Sequence, residues 1–365
     1  MGSLAPLKRA VAVAQLAALA VVLARLARGR HRRPTLAAPA APVAAPVSVV
    51  VPARDEVLRI RPCLEALLAD PAAGEVIVVD DASTDGTAEL ARGLGARVVE
   101  AGEPPPGWVG KPWALQRGLE VAAGEVVVSL DADTRPRPGL VGALAAALED
   151  ADLVTAGARF ICETAGERWL HPAMLATLIY RFGPPDARAR VAPARLVVNG
   201  QCTAVRREAL LRAGGYSHAA AHMTDDAAQA RALARLGWRI AFHDGGDLLG
   251  VDMHDSIAGT WREWGRSLAL PDVTSRSWQA ADLALVWLTL GLPPLRLLAG
   301  RPQPSDLGLL ALRWLMAVAL ARSYRPRGAV YWLSALADPA AAVRLTTSAL
   351  RPARSWRGRE YGAAG

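Results

Sequence analysis

Val126-Val127-Val128-Ser129-Leu130 is an apolar run bounded by Gly124 on one side and by the acidic turn Asp131-Ala132-Asp133 on the other. A run this short and this uniformly apolar predicts a strand buried on both faces, the kind found in parallel sheets. It constrains the rest of the chain, because open α/β sheets bind ligands at the carboxyl ends of such strands. Two carboxylates one residue apart at that end offer hard oxygen ligands, and Mg²⁺ or Mn²⁺ favours one or two of these together with substrate phosphates. Acidic pairs at strand ends are also ordinary solvated turns, so this pair gains meaning only from its neighbours.

The same pattern recurs upstream. Residues 47–51 predict a first strand running into Pro52, and Asp55 is expected to open a helix with apolar positions Ile60, Leu64, Leu67 and Leu68. A second strand at 76–79 ends in Asp80-Asp81-Ala82-Ser83-Thr84-Asp85-Gly86-Thr87. Ser83 or Asp85 suits a cap for the helix that follows, whereas Asp80 and Asp81 stand where carboxylates accept hydrogen bonds from a base or ribose. After a third strand at 96–100, Gly110-Lys111 starts a helix running toward Gly124, and a lysine beside the free N–H groups of a helix start suits an anion. This alternation predicts parallel pairing with right-handed crossovers. Further strands are expected at 153–156, 197–205 and 237–242. Thr224-Asp225-Asp226 starts a helix, and capping accounts for one of those aspartates but not readily for both. His243 and His254 follow; either could add a metal ligand, although a loop histidine without that duty is the simpler reading.

The 365 residues are 52% hydrophobic with a net charge of +8, which comes mainly from Arg. Arg25, Arg28, Arg30, Arg32 and Arg33, and again Arg351, Arg354, Arg357 and Arg359, flank apolar stretches. That arrangement points to a membrane surface and away from nucleic acid, for which no helix-turn-helix, zinc-finger or RNP pattern is present. Cys63, Cys162 and Cys202 have no metal-ligand spacing and fit a reduced cytosolic compartment. Residues 10–24 are uncharged and read as a short membrane anchor; the Arg cluster after them marks a cytoplasmic stop. Residues 170–182 suit a helix on or near a membrane. Apolar segments at 283–295, 307–320 (interrupted by Arg313) and 328–350 (interrupted by Asp338-Pro339 and Arg344), with Trp287, Trp314 and Trp332, favour insertion although none is a clean span. The expected division is a membrane anchor and basic stop at 1–33, an Ala/Pro linker at 34–46, a catalytic domain at 47–270, hydrophobic helices at 280–350 and a basic tail at 351–365. The protein is expected in the cell membrane, multi-pass, with its catalytic domain in the cytosol.

Taken in order, Val51-Pro52-Ala53-Arg54-Asp55-Glu56, the Asp80 to Thr87 run, Gly110-Lys111 with Ala114-Leu115, Asp131-Ala132-Asp133 and Thr224-Asp225-Asp226 resemble the family 2 glycosyltransferases over residues 47–266. The apolar carboxyl third and Trp356-Arg357-Gly358-Arg359-Glu360-Tyr361 resemble the membrane-bound, lipid-directed branch that includes carotenoid- and hopanoid-associated enzymes and is similar to ceramide glucosyltransferases. The resemblance implies an α/β fold of GT-A type, a nucleotide-sugar-binding mixed sheet flanked by helices, plus membrane-associated α-helices at both ends. It implies a nucleotide-sugar donor, preferably a UDP-sugar, a lipid hydroxyl or carboxyl acceptor, and Mg²⁺ or Mn²⁺. Pro52, Arg54, Glu56, Asp80, Asp81, Lys111, Asp131, Arg262 and Arg266 would surround the donor, and Asp131 and Asp133 the metal. Asp226 would be the general base of an inverting transfer, with Asp225 beside it. The sequence departs from the family twice. Its acidic pair is Asp-Asp where Glu-Asp is usual, and Trp261-Arg262-Glu263-Trp264-Gly265-Arg266 stands where processive members carry Gln-X-X-Arg-Trp. The second departure favours single transfer over polysaccharide synthesis. A non-catalytic nucleotide-binding membrane scaffold is the remaining alternative, against which Asp133 and Asp226 both argue.

Overall fold

A computed structural model describes residues 5–185, 191–352, 355–356 and 359–360; most of the basic tail, including Arg354, Arg357 and Tyr361, lies outside them. The chain divides into two units, one of Arg33–Ile161, Arg190–Met253 and Arg354–Gly365, the other of Met1–Arg32, Cys162–Ala189 and His254–Ala353. Residues 162–189 and 254–270, which the sequence alone assigns to the catalytic domain, thus group with the helical unit.

The first unit contains strands β1 (Val47–Ala53), β2 (Glu75–Asp80), β3 (Arg97–Glu100), β4 (Val126–Leu130), β5 (Thr134–Pro136), β6 (Leu153–Gly157), β7 (Arg159–Ile161), β8 (Cys202–Arg206), β9 (Ile240–Asp244) and β10 (Leu249–Val251). Among the described residues seven of them form one mixed sheet in the order β3-β2-β1-β4-β8-β6-β9. The first four run parallel, β8 is antiparallel to β4 and β6, and β9 is parallel to β6. Val49, Val51, Val76, Val78, Val126 and Val128 pack on one face with Ile60, Leu64 and Leu144, while Val50, Ile77, Val79 and Val127 pack on the other with Leu115, Leu119 and Leu233. Burial on both faces is why these strands read as unbroken apolar runs. Helix Gly110–Val121 lies so close to β1 that a Cβ at Gly118 would stand 2.3 Å from Val50 Cγ1. A smaller group pairs β10 antiparallel with β5 and parallel with β7.

Asp55 does not open a helix. Its φ is +52°, and the helix begins at Ile60. The segment between is tied instead to the loop after β2: the backbone N–H groups of Asp55, Glu56 and Val57 donate to Ser83 Oγ (3.0 Å), Thr87 Oγ1 (2.8 Å) and Asp85 Oδ2 (3.0 Å). Side-chain acceptors thus satisfy N–H groups that a helical first turn would have left open. The strand expected at 197–205 begins only at Cys202, because Asn199 turns its side chain to donate to Ala156 O at 2.7 Å.

In the second unit, Ala5–Leu26, Ala165–Phe182, Ile257–Ser267, Arg276–Val286, Leu292–Leu298, Pro304–Leu320, Gly328–Trp332 and Asp338–Leu350 are helical. Helix Ala165–Phe182 starts at a capping box between Thr164 and Glu167 and turns Leu170, Met174 and Tyr180 into the unit's own core, where a surface membrane helix would have left them outside. Among the described residues three stretches are long and apolar enough to cross a membrane: Lys8–His31, Arg276–Leu298 and Pro304–Ser323. The last two exceed the apolar runs seen in the sequence, one continuing through a π-turn at Trp287–Gly291. Residues 328–350 are instead broken by a 3₁₀ turn at Ser334–Ala337.

The polar interruptions of these segments find one another. Arg313 donates through Nε and Nη2 to the Asp338 carboxylate at 2.9 and 3.1 Å, and both side chains are 1% exposed. Gln15, in the middle of the amino-terminal helix, donates to Asp306 Oδ1 at 2.8 Å and to Leu288 O at 3.1 Å, and accepts from Ser305 Oγ at 2.9 Å. Breaking one partner of a buried ion pair leaves the other charge uncompensated. Asp338→Ala is therefore expected to destabilise the folded protein by ~3–5 kcal/mol. Thermal unfolding of the purified protein checks this, and an unchanged midpoint would show that Arg313 finds another partner.

Candidate active site

The strand order reverses direction at β1, so a crevice opens beyond the carboxyl ends of β1 and β4, where such sheets bind ligands. Asp131 and Asp133 occupy the turn leaving β4. The Asp131 N–H donates to Gln201 O (2.9 Å), and its carbonyl accepts from Thr134 N (3.1 Å) and Oγ1 (2.7 Å), which fixes the turn. The Asp131 carboxylate holds Lys111 Nζ at 2.7 Å from Oδ1 and 2.9 Å from Oδ2. Asp133 Oδ1 is enclosed with no hydrogen-bond partner. Burial, followed by the negative charges of Asp131 and Glu56, pushes the Asp133 carboxyl up to about 7 against the opposing pull of Arg59 and Lys111.

Asp225 and Asp226 begin helix Asp225–Arg235. The Asp226 carboxylate accepts from Gly200 N at 3.1 Å and from Ala227 N at 2.7 Å, so two backbone donors fix its orientation. Gly200 is required for this approach, since a Cβ there would lie 2.6 Å from Asp226 Cβ. Burial pushes Asp225 up to about 7, with Asp226 and Asp131 adding and Lys111 opposing. Burial raises Asp226 as well, while Lys111 and the two N–H donors hold it down. The pull of Asp131, Asp225 and Asp226 outweighs burial and raises the proton affinity of Lys111. One lysine and three aspartates thus act on one another as a single cluster.

A second set forms along β1 and β2. Asp80 accepts from Ser83 N at 3.2 Å through Oδ2, while its Oδ1 is enclosed without a hydrogen bond. Arg54 Nη1 donates to Asp81 O at 2.7 Å and stands 3.5 Å from its carboxylate. Glu56 pairs with Arg59 at 2.8 Å, and Pro52 lies in β1 opposite Val79. Arg262 and Arg266 belong to helix Ile257–Ser267 of the other unit, where both pair with Glu263. His243 Nδ1 is 3.1 Å from Pro34 O, and the ring of His254 lies tilted by 51° beside that of His171, with centroids 6.1 Å apart. Among the described residues no group of three or more His, Cys, Asp or Glu side chains forms a closed metal cage. Two residues escaped the sequence reading, Arg59 and Gly200. The turn-forming dipeptide Asn199-Gly200, inside what read as a strand, was the available signal for the second.

Residues 48–214 match the family model described as glycosyl transferase family 2. This chain carries a family 2 glycosyltransferase domain. The domain is similar to 4,4'-diaponeurosporenoate glycosyltransferase of Staphylococcus haemolyticus, 37% identical over 89 residues, and to the Staphylococcus aureus enzyme of that name, 36% identical over 88 residues. Each match covers 24% of this chain and 24% of the relative, so only about a quarter of those relatives is spanned. A mannosyltransferase of Pyrobaculum calidifontis, solved in complex with GDP-Man and Mn²⁺, superimposes with a TM-score of 0.55 at 22% identity, covering 94% of this chain and 98% of that one. It shares the mixed α/β sheet with flanking helices expected of a GT-A-type fold. The family 2 match ends at residue 214, so Asp225 and Asp226 stand on geometry alone.

Proposed function

We propose that the protein is an inverting glycosyltransferase that moves one sugar from a nucleotide-sugar to a lipid hydroxyl at the cytoplasmic face of a membrane. The observation that carries this reading is Asp226, aimed by two backbone donors and electrostatically linked to the Asp131–Lys111 pair at the reversal point of the sheet. Asp80, with one oxygen lacking a hydrogen bond, and Asp81 stand at the end of β2 to receive base or ribose. The residues also fit a divalent cation: the unpartnered Asp133 Oδ1 and the surplus negative charge around it are both answered by Mg²⁺ or Mn²⁺. Asp133 and Asp131 would hold it, and when bound it neutralises charge on the departing nucleotide diphosphate.

The acceptor oxygen attacks the anomeric carbon, the bond from that carbon to the diphosphate oxygen breaks, and the hydroxyl proton passes to Asp226. A lipid acceptor is supported by the relatives named for 4,4'-diaponeurosporenoate and by outward apolar side chains on the candidate spans, including Leu16, Leu23, Trp314 and Leu315. Membranes containing the protein, incubated with a panel of labelled nucleotide-sugars, are expected to yield label in the lipid extract with at least one donor. Label confined to insoluble polymer would support polysaccharide synthesis, and none with any donor would overturn the reading.

A further inference from the structure

Of the 42 basic residues in this chain only two, Lys8 and Lys111, are lysine. One of them is the cation set among the active-site carboxylates. It lies 2.7 and 2.9 Å from the two Asp131 oxygens, so its ammonium takes up the carboxylate that a metal ion held by Asp131 would need. The contact is reversible in kind. Lys111 is 19% and Asp131 25% exposed, and an ammonium on a four-carbon stem can swing, whereas a guanidinium would grip the carboxylate with a planar fork. Asp225 and Asp226 also act on Lys111, so its charge has other places to go.

We propose that Lys111 is an exchangeable counter-ion: it neutralises Asp131 while the site is empty and turns to the donor diphosphate when metal and nucleotide enter. The inference rests on reading Asp131 and Asp133 as the metal site. In the empty site Lys111 competes with the metal for Asp131, so metal alone binds weakly. Once the diphosphate supplies a new partner, the competition is relieved and the metal site opens. Metal and nucleotide consequently bind in concert, each raising the affinity for the other by the same factor.

The test uses the purified full-length protein, Mn²⁺ binding followed by electron paramagnetic resonance, and UDP and GDP binding followed by calorimetry. Lys111→Met, unbranched and of similar length, is expected to bind Mn²⁺ alone at least about tenfold more tightly, because a like charge has left the site. With Mn²⁺ present it is expected to bind the preferred nucleotide at least about tenfold more weakly, since that charge no longer meets the diphosphate. Lys111→Arg keeps the charge and should leave Mn²⁺ binding no tighter than in the parent. Opposite signs for the two ligands cannot come from a loosened fold, which would weaken both. Mn²⁺ affinity unchanged or reduced in Lys111→Met, or tightened with nucleotide affinity unaltered, overturns the exchange. Asp133→Ala provides the separate control: if it binds Mn²⁺ like the parent, the metal-site reading itself fails.

Discussion

Asp226→Asn is expected to lower sugar transfer to lipid by about 10²–10⁴-fold, the scale of a missing general base, while metal and nucleotide bind nearly as in the parent. The amide keeps the size of the carboxylate, and its oxygen can still accept from Gly200 N or Ala227 N, so the local frame survives the change. It cannot take the proton that a lipid hydroxyl must lose on attack. The pH profile gives a second readout. Burial raises Asp226 from its ordinary value, and a base works only when ionised, so the rate should fall on the acid side at a higher pH than a free aspartate would give. The variant should lose that limb. Near-parental transfer would remove Asp226 from the role and would suit an acceptor carboxylate, which has no proton to give. A product retaining the donor's anomeric configuration would exclude single displacement.

Asp133→Ala, or chelation of the parent protein, is expected to abolish most metal-dependent nucleotide binding. Loss of a direct ligand should exceed the ~10–100-fold that removing an outer hydrogen-bond partner of a metal ligand costs. Because the free Asp133 carboxyl is pushed up to about 7, protons compete with the cation there, and metal affinity should decline as pH falls below about 7. Calorimetric titration of UDP and GDP with and without Mn²⁺, across that range, measures both effects. Nucleotide affinity indifferent to chelation and to the substitution would reduce the acidic pair to a turn.

What was legible in the sequence was whatever depends on neighbours along the chain. β1, β2 and β4 announced themselves because two-sided burial demands apolar residues at every position, and the carboxylates after β2 and β4 followed from their place at strand ends. Pairings across the fold were hidden. Lys111 read as a cation waiting for an anion, and nothing local discloses that Asp131, twenty positions on, already holds it. The Gly200 N–H that aims Asp226 comes from a segment that looked like strand, since Val197 and Val198 carry β-propensity while the side chain of Asn199 overrides it. Arg313 and Asp338 each looked like a flaw in an apolar segment, and only the packing of their helices turns two flaws into one ion pair. Asp55 misled for the opposite reason: a good capping residue was used to join two loops.

The bond between Gln15 and Asp306 has a bearing on how the chain is made. Its partners are 291 positions apart, and Gln15 is 1% and Asp306 0% exposed once joined. At a synthesis rate of about 5–20 residues per second, Gln15 must wait roughly 15–60 s for that partner to be translated. During that interval the Gln15 amide lacks the carboxylate that it meets in the finished packing. Whatever holds the helix then, be it the insertion machinery, lipid or water, must later surrender it. A chain stopped before Asp306 never completes that handover and keeps only the earlier partners of Gln15, Leu288 O among them.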